Sequence, residues 1–512
     1  MVIMGSAEKV RGDFFKRSIE PETWQLLKRV NAAIGRGTKA YVVGGFLRDV
    51  LLGRETVDID IAVGADALDI APQVAEALGG RYVLLDRENG VGRVVLAGEG
   101  AHPARGQQEI DFSTFAGPVE QDLGRRDFTI NAMAVDLQRL VQGDGDVLLV
   151  DPFQGREDLE RRVIRSVSET AFESDPVRLL RAVRLAAELG FYIDEKTEKQ
   201  VRKWAHLLAR AAGERVREEF LRLLGVSGSG KFVSCLDGLG LLTAMMPELA
   251  DMKGVKQPKE HYWDVFEHSV KTVLAIDFLL REGDWDYSDE ALLAAVPWSE
   301  RLVEHFDSEV SGGSTRRVLL KVAALLHDIA KPQTKAFDAN GRMRFLGHGK
   351  EGASMAAHIL ERLRFSSREI RLVETVVTHH LRPMQMSQDE LPTQRAIYRY
   401  FRDTGETGID ILFMSLADHL ATRGPDINLS HWQEHARMVE YVLDRYYEQE
   451  RVVMPVKLVD GHDLLNIFGM SPGPEVGRIL EAVREAQASG ELSSRQEALA
   501  YIRERLLVKG NR

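Results

Sequence analysis

One cysteine, Cys235, stands in 512 residues, so no disulfide can close within the chain. That suits a reducing compartment, and a cytoplasmic location is the expectation. No run approaches the roughly 20 apolar residues of a membrane helix, and the opening MVIMGSAEKVRGDFF has no apolar core of signal length. No membrane partner is therefore expected. Positive charge is in deficit: 67 Lys and Arg stand against 78 Asp and Glu, a net charge of −11. A nucleic-acid surface, if there is one, must be a local basic patch. There is no internal repeat and no low-complexity tract. Hydrophobic residues at 44% and charged residues at 28% are ordinary for a globular protein, and the length is enough for several domains.

Against that plain background one stretch stands out, Tyr41 to Asp60, YVVGGFLRDVLLGRETVDID. Tyr41-Val42-Val43 reads as a buried strand. Gly44-Gly45 then frees the backbone to turn tightly and approach a ligand. Phe46 to Leu52 can start a helix there, whose first amide hydrogens favour an anion. Arg48 adds a fork of donors suited to phosphate. A second strand is expected over Thr56 to Val63, and residues two apart share a face, so Asp58 and Asp60 project together. Two such carboxylates can hold Mg²⁺ alongside a substrate phosphate. A Gly-Gly alone is mostly a turn, and an Asp-x-Asp alone mostly a solvated face. Their conjunction in one strand–turn–helix–strand unit points to nucleotide chemistry.

Residues 1–40 read as a helical lead-in, with Pro21-Glu22 opening an apolar-periodic segment to Ile34. A helix is expected from Ala65 to Leu78, then two strands about an Asn89-Gly90 turn, a loop over 98–108, and a strand from Glu109 to Phe115. Asp111 on that strand is either a third carboxylate beside Asp58 and Asp60 or an exposed strand acid. Arg125-Arg126-Asp127 precedes what reads as an apolar helix, and a strand resumes near Val147. Beyond Glu157 the pattern turns helical. There Asp175 and Pro176 read as the cap and first residue of a helix bearing Arg178, Arg181 and Arg184 in a slowly winding stripe. A carboxylate and a guanidinium together can read a base edge: Asp accepts from an exocyclic amine, and Arg donates to a ring nitrogen or carbonyl. Cytosine and adenine offer that pair; uracil does not.

Four pieces in order, GGFLRD with DID, RRDFTINAMA, SDPVRLLRAVR and ERVREEF, give residues 38–225 a resemblance to the bacterial tRNA nucleotidyltransferase and poly(A) polymerase family. The resemblance implies an α+β, mostly helical chain, with a small mixed-sheet nucleotidyltransferase head followed by all-α neck, body and tail. It implies that Gly44, Gly45 and Arg48 contact the triphosphate and that Asp58 and Asp60, with Asp111 as a candidate, hold Mg²⁺ for two-metal phosphoryl transfer. It further implies that Arg125, Arg126 and Asp127 contact the nucleotide. Asp175 and Arg178 would read the base, with Arg181 and Arg184 completing that face. The family often has Glu-Asp-x-x-Arg here; this chain has Ser174 in the first position. The implied partners are CTP, ATP and a tRNA 3′ end. The implied product is CCA, with A-only, CC-only or poly(A) addition as alternatives.

In the second half, GVSGSGK at 225–231 lacks the Walker spacing and reads as a linker. His268, His327-Asp328, His348, His379-His380 and Asp418 fall on successive helices, a pattern that resembles the HD phosphohydrolase domain. That resemblance implies a divalent metal (Mn²⁺, Ni²⁺ or Mg²⁺) on His268, His327, Asp328 and Asp418. It implies a second site on His348 with His379 or His380, and phosphatase or phosphodiesterase activity on RNA ends. A further alternative is an HD hydrolase whose head only binds RNA. Residues 284–313 read as a loop-rich insertion, and 456–480 resemble the family's tail. The expected division is 1–156 head, 157–225 neck, 226–260 body, 261–425 HD and 426–512 tail.

Overall fold

The structure, a computed structural model, describes residues 7–506 except 36, 57, 98–106, 144, 289, 387–390 and 449–456, with backbone only at 7, 8, 107, 505 and 506. It divides into two compact units, residues 1–211 with 239–244, and residues 212–238 with 245–512. No helix among the described residues is long and apolar enough to cross a membrane.

The first unit is built on an eight-stranded sheet: β1 (Ala7–Arg11), β2 (Ala40–Val43), β3 (Ile59–Val63), β4 (Arg81–Asp86), β5 (Val91–Ala97), β6 (Gln107–Thr114), β7 (Ala134–Asp136) and β8 (Asp146–Val150). Their order is β1-β8-β7-β2-β3-β6-β5-β4. Within this sheet, among the described residues, only β3 and β6 run parallel, and such a pair requires a long crossover. The helix Ala67–Leu78 and the β4–β5 hairpin fill it. Asp66 caps that helix by accepting from the Leu68 N–H, and Gly79 ends it in the left-handed conformation. The hairpin turns at Asn89-Gly90, with Gly90 at φ +59°. Pro21–Ile34 is a helix that buries Trp24, Leu27, Val30 and Ile34 along one stripe.

Three sequence expectations change here. The lead-in is not all helical, because β1 pairs antiparallel with β8 from Ala7 opposite Val150. Part of the expected loop, residues 98–106, lies outside the described residues, and Gln107 already belongs to β6. The segment after Asp127 is not an α-helix. Its backbone pairs sideways, with Thr129 N–H donating to the Arg165 carbonyl and Val167 N–H to the Asp127 carbonyl. It makes one 3₁₀ turn at Thr129–Asn131 before entering β7. The Thr129 hydroxyl donates to buried Asp158 at 2.6 Å. That side-chain bond holds the segment against the body of the unit instead of letting it wind.

The second unit is helical around two segments buried on nearly all sides, Val265–Leu279 and Thr407–Arg423, together with Arg316–Leu326. Asp264 caps the first of these, and Ser366 with Glu369 forms a capping box on Ser367–His379. The 225–231 segment is structural. The Leu224 carbonyl and the Ser229 hydroxyl accept from buried Lys321, and Gly230 N–H donates to Asp277. The insertion at 284–313 is more ordered than its composition implies, with helices Glu290–Ala294 and Glu300–Asp307 and a strand Glu309–Ser311. The tail helices Gly461–Phe468, Pro474–Ala488 and Arg495–Tyr501 close on their own small core of Leu464, Ile479, Val483, Ala498 and Ile502.

Candidate active site and metal centre

The head site starts where β2 ends. Gly44 sits at φ +71°, and a Cβ there would lie 2.4 Å from Asp60 Oδ2 and 3.0 Å from Arg126 Nη1. Only glycine fits, for conformation and for space. The next amide, Gly45 N–H, donates to Asp60 Oδ2 at 3.0 Å. A Cβ on Gly45 would meet nothing nearer than 3.5 Å, from Arg48 Nη2, so no described residue demands glycine there.

Strand register sets the acids in line. Val43 lies opposite Asp60, Asp60 opposite Asp111, and Asp111 opposite Arg93. Asp58 lies just before β3 and is exposed, and strand alternation puts it on the Asp60 side. It makes no hydrogen bond or ion pair among the described residues. Burial pushes the Asp60 carboxyl up to about 6; Arg126 opposes this, Asp111 adds to it, and the Gly45 amide and Arg48 pull back. Asp111 is claimed by Arg93, whose Nε and Nη2 donate to its two oxygens at 2.7 and 2.9 Å. Arg93 also pairs with Glu109 at 2.5 Å. No sequence motif marks Arg93; the available signal was the hairpin register counted out from Asn89-Gly90.

Arg48 does not point free. Nε and Nη2 donate to Asp49, and Nη1 donates to Asn131 Oδ1 at 2.9 Å. Asn131 passes the contact on, its amide donating to Asp127 Oδ1 at 3.0 Å, and Arg181 Nη1 donates to Asp127 Oδ2 at 3.1 Å. Burial alone would raise the Asp127 carboxyl, yet Arg181, Asn131, Arg178 and the Phe128 amide bring it down to about 2. Arg126 reaches Asp122 at 3.4 Å, while its buried Nε finds no hydrogen-bond partner among the described residues.

The helix carrying the arginine stripe is Arg178–Leu189. It begins two residues later than expected, and Asp175 is not its cap. Asp175 ends the short helix Ala171–Ser174 and accepts from the Val177 N–H at 3.3 Å. Arg178 binds the Arg125-Arg126 loop through main-chain carbonyls, Nη2 to Arg125 at 2.8 Å and Nη1 to Arg126 at 3.4 Å. Its Nε stands 3.7 Å from Asp175 Oδ2. Arg125 itself is exposed. Arg184 is buried and pairs with Glu188 one turn on. Gly44, Gly45, Arg48, Asp60, Arg126, Asp127, Arg178 and Arg181 thus form one connected set. Asp111 and Arg184 are each bound by a neighbour of their own.

In the second unit, two groups of ligand-type atoms lie within 4.8 Å: His268, His327 and Asp328, and Asp328, His348 and His380. Asp328 belongs to both. His268 Nε2 lies 3.0 Å from Asp418 Oδ1. The Nδ1 atoms of His327, His348 and His380 face the carbonyls of Ala324, Phe345 and Val377 at 2.8, 2.6 and 2.8 Å. A carbonyl can only accept, so each Nδ1 carries the proton and each Nε2 turns a lone pair inward. His348 and His380 then oppose lone pairs at 3.2 Å, an arrangement a cation relieves. The donor set therefore fits a divalent metal. Of the alternatives for the second site, His380 is in the group, while His379 is half-buried outside it. Two neighbours carry no motif signal. Lys331 Nζ stands 2.6 Å from Asp328 Oδ2, and the His261 ring packs on His268 with centroids 5.5 Å apart.

A glycine bend seated on an acid-bearing strand, joined in one chain to a buried His/Asp cluster, defines a nucleotidyltransferase head with an HD unit. Residues 40–165 match the Poly A polymerase head domain, 190–253 the probable RNA and SrmB-binding site of polymerase A, 265–423 the HD domain and 351–502 the putative tRNA nucleotidyltransferase domain 2. The chain is 34% identical to the A-adding tRNA nucleotidyltransferase of Deinococcus radiodurans, over 90% of this chain and 94% of that one. It is 33% identical to the CC-adding tRNA nucleotidyltransferase of Thermus thermophilus, over 90% and 93%. A solved CCA-adding enzyme with CTP shares the fold with a TM-score of 0.63 at 22% identity, covering 98% of this chain and 99% of that one. The Thermotoga maritima CCA-adding enzyme complexed with tRNA does so at 0.60, 22% identity, 97% and 98%. The chain belongs to the tRNA nucleotidyltransferase family and is an enzyme of the nucleotidyltransferase class.

Proposed function

We propose that the chain adds C and A units from CTP and ATP, without a template, to the 3′ end of tRNA, completing CCA. The observation that carries this reading is the bond from Gly45 N–H to Asp60 at the end of β2. It sets an acid against a bend where Gly44 leaves no room for a side chain. Mg²⁺ held by Asp58 and Asp60 would stabilise charge on the phosphates and lower the proton affinity of the attacking hydroxyl. The protein supplies position. Gly44 and Gly45 keep the backbone low beneath the triphosphate, and Arg126 brings it a charge whose Nε has no hydrogen-bond partner among the described residues. Arg48 and Arg181 act from behind, holding Asn131 and Asp127 rigid. Asp175 offers an acceptor to the exocyclic amine of C or A, with the Nε edge of Arg178 beside it. In-line displacement of pyrophosphate needs no covalent enzyme intermediate.

The test is to supply tRNA lacking its terminal CCA with each nucleotide separately and then with both. A specific observation favours a second reading, addition of CC alone or A alone. Relatives matched over 90% of this chain are A-adding and CC-adding enzymes. Incorporation of C but never A, or the reverse on a CC-ended tRNA, would establish it. For the HD centre the proposed role is metal-dependent hydrolysis of phosphate esters at RNA ends. Dephosphorylation measured with Mn²⁺, Ni²⁺ or Mg²⁺ tests it, and no turnover with any ion would reduce the cluster to a structural role.

A further inference from the structure

The histidine–aspartate cluster is almost wholly enclosed. Asp328 and the rings of His268 and His327 are at most 1% exposed, and the cluster comes toward the surface at Asp418, whose side chain is 21% exposed. What borders that opening bears on what can enter. Thr422, one turn beyond Asp418, donates its hydroxyl to Asp418 Oδ1 at 3.3 Å, and its carbonyl accepts from the main-chain N–H of Tyr262 at 2.9 Å. Tyr262 follows His261, the residue whose ring packs on His268. Tyr262 is 53% exposed, and its ring is held edge-on against Trp263 with centroids 4.7 Å apart. Lys271 lies over Trp263, and Trp263 occupies the space beside Gly424, where a Cβ would meet its Nε1 at 3.2 Å. An exposed aromatic on so fixed a mount keeps its ring available at little entropic cost.

The loop leading to it, KGVKQPKEHYW at 253–263, is basic in a chain whose net charge is −11. Lys253 pairs with Asp237 at 2.6 Å. Lys256 and Lys259 are exposed and make no ion pair among the described residues, and Glu260 is the loop's one acid. The loop is tied to the cluster itself, since Lys331, the cation beside Asp328, donates to Gln257 Oε1 at 2.6 Å. A ring beside lysines is the arrangement that takes up single-stranded nucleic acid, the ring stacking on a base and the lysines answering phosphates.

We propose that residues 256–262 form the substrate-docking surface of the HD centre, with Tyr262 stacking on the terminal base of a single-stranded RNA end while Lys256 and Lys259 meet the preceding phosphates. This rests on the hydrolase reading of the centre. It makes Tyr262 a specificity-determining residue, one that separates RNA ends from small phosphate esters.

The test compares the full-length wild type with Tyr262→Ala, Tyr262→Phe and the Lys256→Glu/Lys259→Glu double variant. The substrates are an RNA trinucleotide ending in a 2′,3′-cyclic phosphate and bis(p-nitrophenyl) phosphate, each with Mn²⁺, Ni²⁺ or Mg²⁺. Tyr262→Ala is expected to raise KM for the trinucleotide about tenfold, the size of one base–aromatic stack, and the lysine variant to raise it through lost phosphate contacts, both leaving kcat and the small ester unchanged. Tyr262→Phe should restore the KM. An unchanged KM, or an equal loss on both substrates, overturns the proposal. A second readout needs no turnover: a trinucleotide with 4-thiouridine at its 3′ end is crosslinked to the protein and the site mapped by mass spectrometry. A crosslink within residues 253–263 is expected. If no substrate is hydrolysed, the hydrolase reading fails by itself, and a crosslink found only elsewhere overturns the docking surface too.

Discussion

Gly45 donates its main-chain hydrogen to Asp60 across 3.0 Å, so the bend after β2 and the acid on β3 are fixed by one bond. The residue before it could not carry a side chain, because a Cβ on Gly44 would be driven into that same carboxylate. Gly44→Ala must pay for both a left-handed backbone, about 1–2 kcal/mol, and a displaced Asp60. We expect it to lower Tm and abolish nucleotide addition. Gly45→Ala has room, so its Tm should match wild type, and any activity it loses reports on how closely the nucleotide approaches. Equal Tm losses for the two variants would contradict this geometry.

Asp127 is held down at about 2 against an ordinary 3.8. A carboxylate with a depressed folded pKa adds stability above the unfolded value and loses it as pH falls through the folded one. The contribution, about 2 kcal/mol, should be whole above pH 4 and fade between about pH 4 and 2. Asp127→Asn is therefore expected to destabilise the protein at pH 7, with the deficit shrinking toward pH 2 in denaturant titrations. A deficit independent of pH would place the effect in packing.

Lys321 is fully buried and bridges Asp277 at 2.6 Å and Glu282 at 2.8 Å. Removing the cation leaves the buried Asp277 uncompensated, a loss of about 3–5 kcal/mol, while Glu282 keeps its pair with Arg317. Lys321→Met should show that loss in equilibrium unfolding, and adding Asp277→Asn should recover part of it. Strict additivity of the two changes would mean they do not interact.

His379 and His380 are neighbours in sequence, yet only His380 turns its Nε2 toward His348, at 3.2 Å. His380→Ala is expected to lower the bound divalent metal measured after loading and dialysis, and His379→Ala to leave it unchanged. The reverse result would contradict the site.

Much of this was legible in the residues. The 20-residue stretch from Tyr41 carries its own strand, bend and acid, because local turn chemistry and strand alternation decide it. The second centre was legible for another reason, the resemblance of its His and Asp order to the HD pattern, since its residues lie far apart in sequence. What local pattern could not supply was who neutralises whom. Asp111 reads either as a third carboxylate or as an exposed strand acid, and only β5 laid beside β6 shows Arg93 donating to both its oxygens. Arg178 reads from sequence as a base-facing donor beside Asp175, and only the fold brings the Arg125 and Arg126 carbonyls to it. The missed break after Asp127 has the same origin, since an apolar, helix-like sequence was overridden by backbone pairing with residues 165–167.

The central claim is that Asp58 and Asp60, set against the glycine bend, drive nucleotide addition. It is tested most directly by following labelled CMP and AMP incorporation into tRNA lacking CCA, for wild type and for Asp60→Asn with its fold checked by circular dichroism. A folded Asp60→Asn protein with no detectable incorporation of either nucleotide is expected. A folded variant that still extends the tRNA at the wild-type rate would contradict it.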